Sequence, residues 1–120
     1  MIEQYGNLWV DLTVATSHAD QVATVLQSAW DQGEQLTEAE RGTTAVTIAT
    51  AKVFTTRVAL EVTSKIFEVT GTRAAASKYR FDRFWRNVRT HTLHDPVAYK
   101  VYEVGNWTLN EQIPVFTLYT

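Results

Sequence analysis

The stretch LWVDLTVATSHADQVATVLQSA, residues 8–29, carries the most regular apolar pattern in this sequence. Its apolar positions alternate spacings of four and three residues: Leu8, Leu12, Ala15, Ala19, Val22, Leu26 and Ala29. This spacing predicts one long helix, because residues three and four positions apart lie on the same helical face. We expect the helix to end near Gly33, since glycine readily adopts the left-handed conformation that closes many helices.

A capping box predicts that a second helix begins near Leu36. In Thr37-Glu38-Ala39-Glu40, the threonine hydroxyl can accept the third amide of a helix while Glu40 bonds back to the threonine amide. Two apolar rows then continue to Val69, which indicates a helix that is buried on both sides. Its threonines and valines favour strands, but the run is too long for a strand and lacks a period of two. Gly71 is expected to end it.

Two shorter helices complete the predicted fold. Residues 74–90 carry aromatic and apolar side chains on one side and arginines on the rest. Asp95-Pro96 predicts the start of a fourth helix, with aspartate as the cap and proline at the first helical position. Residues 110–120 are expected to form an irregular tail. Short connections favour antiparallel neighbours, so the sequence predicts an all-α fold, an up-and-down four-helix bundle.

Length and composition exclude several classes of protein. The 120 residues suffice for one domain, and 45% hydrophobic with 20% charged residues is typical of globular chains. Without cysteine there is no disulfide framework, thiolate zinc site or cysteine nucleophile. No apolar run approaches the ~20 residues that span a bilayer, and the start lacks the features of a signal peptide. We therefore expect a cytoplasmic protein with no membrane partner.

The net charge of -2 is unevenly distributed. Residues 73–89 hold six basic residues against one acid, whereas residues 1–72 hold four against nine and residues 90–120 one against three. The arginines at 80, 83, 86 and 89 spiral around a helix and cannot all follow one phosphate backbone, so nucleic acid is not an expected partner. The plainer interpretation is a solvated face that pairs with acids of a neighbouring helix, such as Glu61 or Glu68.

Histidines and one arginine are the candidates for chemistry. His91 and His94 lie three positions apart, but no acid stands in register for a metal site and His18 is the only other histidine, so no metal is predicted. Alternatively, both imidazoles bond to backbone groups in a helix connection. Arg73 follows Gly71-Thr72, where a helix dipole disfavours a cation, which makes it a candidate for a ligand contact or an interdomain ion pair. Exposure to water would equally explain it.

Two motifs carry a family resemblance. IFEVTGTR at 66–73 and RFWRNVRTHTLHDP at 83–96, followed by VGNW at 104–107, resemble the C-terminal region of acyl-CoA dehydrogenase-like flavoproteins. The similarity is greatest to the branch of two-component flavin-dependent monooxygenases. In that family this region is a four-helix bundle, and complete members add a helical N-terminal domain and a central β domain. The resemblance implies that residues 1–120 are a single helical domain of a longer flavoprotein, the parent, and are inactive alone.

The resemblance also implies a function for the parent. Reduced FMN or FAD, supplied by a flavin reductase, would react with oxygen, and a small-molecule substrate would be oxygenated. Matching positions imply that His94 is catalytic and that Arg73, His91 and Asp95 face the flavin or the substrate. Because family members are commonly tetramers, and because the second helix and the tail are strongly apolar, a homo-oligomer, a dimer or tetramer, is expected.

Two alternatives stay open. Dehydrogenase members often use a glutamate followed by glycine as the base, and Asp95-Pro96 occupies that position here. Aspartate is shorter and is expected to cap a helix, which argues against acyl-CoA dehydrogenation. The other alternative is a non-catalytic interaction module whose basic helix binds an acidic partner.

Overall fold

The computed structural model describes residues 1–118, which form four α-helices and no strand. These are α1 (Ile2–Gln32), α2 (Glu38–Thr70), α3 (Asp82–Leu93) and α4 (Val97–Asn110). Short 3₁₀ turns follow the two long helices, at Gly33–Gln35 and Thr72–Ala75. The prediction of an all-α, four-helix fold is confirmed. No helix within residues 1–118 combines the length and apolar character needed to cross a membrane.

Helix α2 is the central element, because α1, α3, α4 and the turn at Thr72–Ala75 all pack against it. Its buried residues lie on several sides of the helix: Gly42, Val46, Ala49, Ala51, Thr56 and Val58. Several threonines satisfy their hydroxyl groups within α2 by donating to the carbonyl four positions earlier, as Thr50 does to Val46 at 2.9 Å. These residues therefore fit a helix despite their preference for strands, and the prediction of a helix buried on more than one side is confirmed.

Helix α1 buries only half of its apolar stripe. Every seventh residue is buried against the rest of the chain: Leu8, Ala15, Val22 and Ala29. The alternate stripe residues Leu12, Ala19 and Leu26 remain exposed. The helix ends at Gly33, which has a φ of 55°, as predicted. One packing face is thus used by α2, and residues 1–118 leave a second apolar face uncovered.

The capping box at the start of α2 forms as predicted. The Thr37 hydroxyl accepts a hydrogen bond from the Glu40 amide at 3.2 Å, and the Glu40 carboxylate accepts one from the Thr37 amide at 2.9 Å. The hydrogen bonds from the Thr37 backbone and side chain lower the pKa of Glu40 below its ordinary value of 4.5. The ionised carboxylate is therefore the form that the folded cap favours.

Acid is expected to weaken this cap. A lowered pKa in the folded state stabilises the protein above the unfolded value of 4.5, and this contribution is lost as the pH falls through the folded value. We therefore expect Glu40→Gln to lower the unfolding temperature more at about pH 7 than near about pH 3, which lies below the unfolded value of the Glu40 pKa. Thermal unfolding followed by circular dichroism measures the unfolding temperature at both pH values. The same difference between variant and wild type at the two pH values would contradict the prediction.

Thr37→Ala, which removes the cap hydroxyl, should lower the free energy of unfolding by about 1 kcal/mol at neutral pH.

The third helix begins later than the sequence predicts, at Asp82 and not at residue 74. After Gly71, with a φ of 79°, the chain makes a 3₁₀ turn and then an extended step at Ala76. Arg80 then adopts a φ of 53°, a left-handed conformation that interrupts any helix through this region. Consequently Arg73 lies in the 3₁₀ turn and not at the start of α3.

The start of α4 and the tail also differ in detail from the prediction. Pro96 occupies the position before the helix, not the first helical position, and no side chain caps α4. Residues 111–118 are irregular, as predicted. The first part of this tail lies on α2, where Pro114 is buried and its carbonyl accepts a hydrogen bond from Arg41 Nη2 at 2.7 Å. Phe116 and Leu118 are exposed. The prediction for positions 119 and 120 lies outside the described residues.

Candidate functional site

The α3–α4 junction brings together three of the four predicted site residues. His91 stands in the last turn of α3, His94 follows the helix as its C-terminal cap, and Asp95 begins the connection to α4. Both histidines are exposed, and neither imidazole has a hydrogen-bond partner among residues 1–118. The alternative in which both imidazoles bond to backbone groups is therefore not observed in this part of the chain. Imidazoles that are exposed and unpaired are available to an external ligand.

Arg73 lies far from that junction. Asp95 is held by Lys52 near the middle of α2, whereas Arg73 follows the last residue of that helix, Thr70. The 18 positions from Lys52 to Thr70 correspond to about 27 Å along the helix axis. Arg73 and Asp95 of one chain therefore cannot line the same small pocket.

Asp95 is engaged by a lysine, not by the amides of α4. The Lys52 ammonium donates to the Asp95 backbone carbonyl and to its carboxylate oxygen Oδ2, each at 2.8 Å. The expectation that Asp95 caps the fourth helix is therefore wrong, because Lys52 competes for the same oxygens and binds one of them as an ion pair. A carboxylate held in this way is not free to remove a proton from a substrate.

Two further charged residues extend this ion pair into a network. Lys100 is 6% exposed, lies 3.9 Å from the Asp95 carboxylate and donates to Glu103 at 3.1 and 3.2 Å. We call Lys52, Asp95, Lys100 and Glu103 the junction network. Within the network each largely buried cation lies beside an anion, which offsets part of the cost of removing the charges from water. Through this network Asp95, the residue after His94, contacts Lys52 of α2 and Lys100 of α4.

Neither lysine was identified from the sequence. The signal for Lys52 is its position in TIATAKVFTT at 47–56, where it is the only charged residue in a run of small and apolar ones. A lone lysine on a helix that is buried on several sides needs an acid or a carbonyl as partner. That partner, Asp95, is 43 positions away in the chain, so its identity does not follow from local spacing.

An open hollow lies beside the junction, where α1, α2 and α3 meet. Its volume is about 600 Å³, and most of its wall consists of small or apolar residues such as Val22, Ala51 and Val88. Lys52, Asn87 and His91 supply polar atoms on the same wall. Apolar walls with a few polar groups are typical of sites that bind small molecules. His94 does not line this hollow.

On its other side the ion pair borders a second hollow, of about 790 Å³. It is lined by Asp95, Lys100 and Glu103, by tyrosines of α4 and by the tail. The Lys52–Asp95 pair therefore stands between two open spaces.

Residues 1–118 contain no group of three or more histidine, aspartate or glutamate side chains arranged to hold a metal ion.

The basic segment pairs differently from the prediction. Arg86 bonds to Asp82 within α3 at 3.1 Å, and Arg83 lies 4.9 Å from the centre of the Phe84 ring. Glu61, an expected partner of the arginines, instead pairs with Lys65 on its own helix. Phe81, which precedes α3, and Phe84 and Trp85 in its first turn are each at least 40% exposed, so residues 1–118 leave these aromatic side chains partly uncovered.

Comparison with known proteins gives consistent matches over nearly the whole chain. Residues 4–98 match the family described as "Acyl-CoA dehydrogenase, C-terminal domain". The chain is 53% identical to a dibenzothiophene monooxygenase of Mycolicibacterium goodii, over 95% of this chain and 28% of that protein. The structure of methanesulfinate monooxygenase MsuC from Pseudomonas fluorescens superposes with a TM-score of 0.95 at 46% identity, covering 99% of this chain and 31% of that one.

A complex of TdsC from Paenibacillus sp. A11-2 with FMN and indole superposes similarly, with a TM-score of 0.93 at 47% identity. The match covers 99% of this chain and 30% of TdsC. The chain therefore spans less than a third of the length of these relatives.

Proposed function

Because this chain belongs to the acyl-CoA dehydrogenase C-terminal domain family, we propose that it is the helical C-terminal domain of an FMN-dependent monooxygenase. The observation that carries the proposal is its high identity to monooxygenases over nearly all of its length. The two monooxygenases named above act on dibenzothiophene and methanesulfinate, so the proposed substrate is a small organosulfur compound. The parent would contain further domains and receive reduced flavin from a separate reductase.

Within the parent, the α3–α4 junction would form one wall of the reaction site. Reduced FMN, when bound, supplies the electrons for oxygen activation. The exposed His94 imidazole would hold or move a proton at the reacting atoms, and His91 would orient the bound ring or substrate from the wall of the hollow. Small apolar side chains around that hollow would exclude water from the reaction.

The engaged state of Asp95 favours oxygenation over acyl-CoA dehydrogenation. A dehydrogenase needs a carboxylate that is free to remove a proton beside a thioester carbonyl. Here the carboxylate at the corresponding position is bonded to Lys52 at 2.8 Å and lies near Lys100. We therefore assign Asp95 a place in the pocket wall, not the role of a catalytic base.

The uncovered apolar surfaces support assembly into a homo-oligomer. A groove of about 650 Å³ between α1 and α2 is lined by Leu26, Trp30 and Ile48, and Trp30 is 81% exposed. Arg41 on the same groove has a buried Nη1 atom with no partner among the described residues. Arg73, which lies beyond the end of α2 that is remote from the junction, would serve a flavin pocket completed by a second copy. Light scattering of the parent measures its assembly, and a monomer at every concentration would contradict it.

A turnover assay tests the proposed function. The parent, with FMN, a flavin reductase and oxygen, is expected to oxygenate dibenzothiophene or methanesulfinate at sulfur, which mass spectrometry with ¹⁸O₂ detects. An acyl-CoA panel under anaerobic conditions is the matched comparison. Bleaching of the flavin by a thioester, without ¹⁸O incorporation into either sulfur compound, would favour the dehydrogenase alternative instead.

A further inference from the structure

We infer that Lys52 is a positioning residue, which fixes the His94–Asp95 segment against α2 and so determines where the His94 imidazole stands. The inference rests on the proposed function, because it assigns His94 to the reaction site. It concerns a side chain on another helix, 42 positions before His94, that contacts the segment without reaching the imidazole.

The first argument is the geometry of the contact. One ammonium group donates to two acceptors of the same residue, the backbone carbonyl and the carboxylate of Asp95, at 2.8 Å each. A bond to the carboxylate alone would leave the backbone free to rotate around it. The additional bond to the carbonyl fixes the Asp95–Pro96 peptide unit as well, so the backbone of Asp95, the residue that directly follows His94, is held at two points.

The second argument is that the junction has few other attachments. The His94 amide donates to the Thr90 carbonyl at 3.2 Å, which is the fraying end of α3. Pro96 follows directly and has no amide hydrogen to donate. Among the described residues, the side-chain hydrogen bonds that tie this segment to α2 are the two from Lys52.

The third argument is electrostatic. Lys52 and Asp95 expose only 21% and 19% of their side chains, so their bond is partly shielded from water. Removing the ammonium would leave the Asp95 carboxylate with Lys100, which lies 3.9 Å away and is already bonded to Glu103. The carboxylate would move toward Lys100, and the junction would move with it. His94 would then stand at a different place relative to a bound ring.

The test uses the parent enzyme and measures coupling, the fraction of consumed oxygen that appears in product. When His94 is misplaced, the two electrons and two protons of reduced flavin convert O₂ into hydrogen peroxide, whereas in the coupled reaction one oxygen atom enters the substrate and the other leaves as water. We expect Lys52→Met, which keeps the side-chain length, to lower the coupled fraction about tenfold, within the ~100-fold that a 1 Å misplacement can cost. Oxygen consumption should stay within about twofold of the wild type.

Matched variants distinguish positioning from general stability. Lys65→Met removes another lysine of α2 that pairs with an acid, Glu61, but at an exposed site away from the junction. It should leave coupling unchanged. Lys52→Arg, which keeps a cationic donor, should restore most of the coupled fraction. The inference would be overturned if Lys52→Met kept full coupling. It would also be overturned if oxygen consumption and coupling fell together in Lys52→Met and Lys52→Arg did not restore them.

If Lys52→Met does not fold, Lys52→Gln carries the test, because its shorter, uncharged side chain removes the ion pair and cannot reach both Asp95 acceptors. A folded Lys52→Gln enzyme with wild-type coupling would overturn the inference, and a loss of coupling would support it. Failure of the proposed function gives a different result, because the wild-type parent would then show no FMN-dependent oxygenation at all.

Discussion

Replacing His94 with alanine in the parent enzyme is expected to lower the rate of substrate oxygenation by about 10²- to 10³-fold without unfolding the protein. The imidazole is exposed and has no hydrogen-bond partner among residues 1–118, so its removal breaks no side-chain hydrogen bond there. The imidazole would speed the reaction by donating a hydrogen bond to the reacting atoms or by transferring a proton there. A group of that kind typically contributes this much to the rate.

Steady-state product formation, measured alongside the melting temperature, checks this expectation. His18→Ala is the matched control, because His18 stands on α1, is the third histidine of the chain and does not line the hollow beside the junction, so turnover should stay unchanged. His94→Gln, which retains a side-chain donor, should fall between the alanine variant and the wild type. Undiminished oxygenation by the alanine variant would contradict the assignment of His94, while a lowered melting temperature would contradict the argument from its exposure.

The long helices could be predicted from the sequence because their signals are local. The stripe in residues 8–29 and the capping box at Thr37 depend on residues within a few positions of each other, and both appear as expected. The late start of α3 was missed because the residue that interrupts the helix is Arg80, in a left-handed conformation that glycine usually marks. No glycine or proline lies between residues 74 and 81 to signal the break.

The candidate site could be predicted only in part, for a related reason. His91, His94 and Asp95 are neighbours in sequence, so their proximity follows directly. The bond between Asp95 and Lys52 crosses 43 positions, and the preference of aspartate for a helix cap gave way to a charged partner that only the tertiary fold supplies. Arg73 was grouped with them by resemblance, whereas the length of α2 separates it from the junction.

Gly42→Val is expected to destabilise the chain by about 2 kcal/mol, because it would detach the tail from α2. Gly42 is buried, and a Cβ atom at this position would overlap the Cβ and Cγ2 atoms of Ile113. Ile113 Cβ is bonded directly to the backbone, so no side-chain rotation relieves the overlap and the tail itself must move. Its departure would expose Ile113 and Pro114 and break the bond from Arg41 to the Pro114 carbonyl. Gly42→Ala should show a smaller loss, because better helix propensity offsets about 1 kcal/mol of the clash.

Urea unfolding of the chain measures these free energies, and two comparisons separate the clash from helix propensity. Gly6→Val adds the same side chain to α1, where a Cβ atom meets nothing within 4 Å, and should be neutral or slightly stabilising. Ile113→Ala should cost less in the Gly42→Val background than in the wild type, because the displaced tail has already lost its packing. The prediction would be contradicted if the effects of Gly42→Val and Ile113→Ala on the free energy of unfolding were additive, or if valine had the same effect at positions 6 and 42. Either result would show that packing of the tail on α2 does not depend on this glycine. In the expected case, the absence of a side chain at Gly42 is what allows the tail to lie against the central helix.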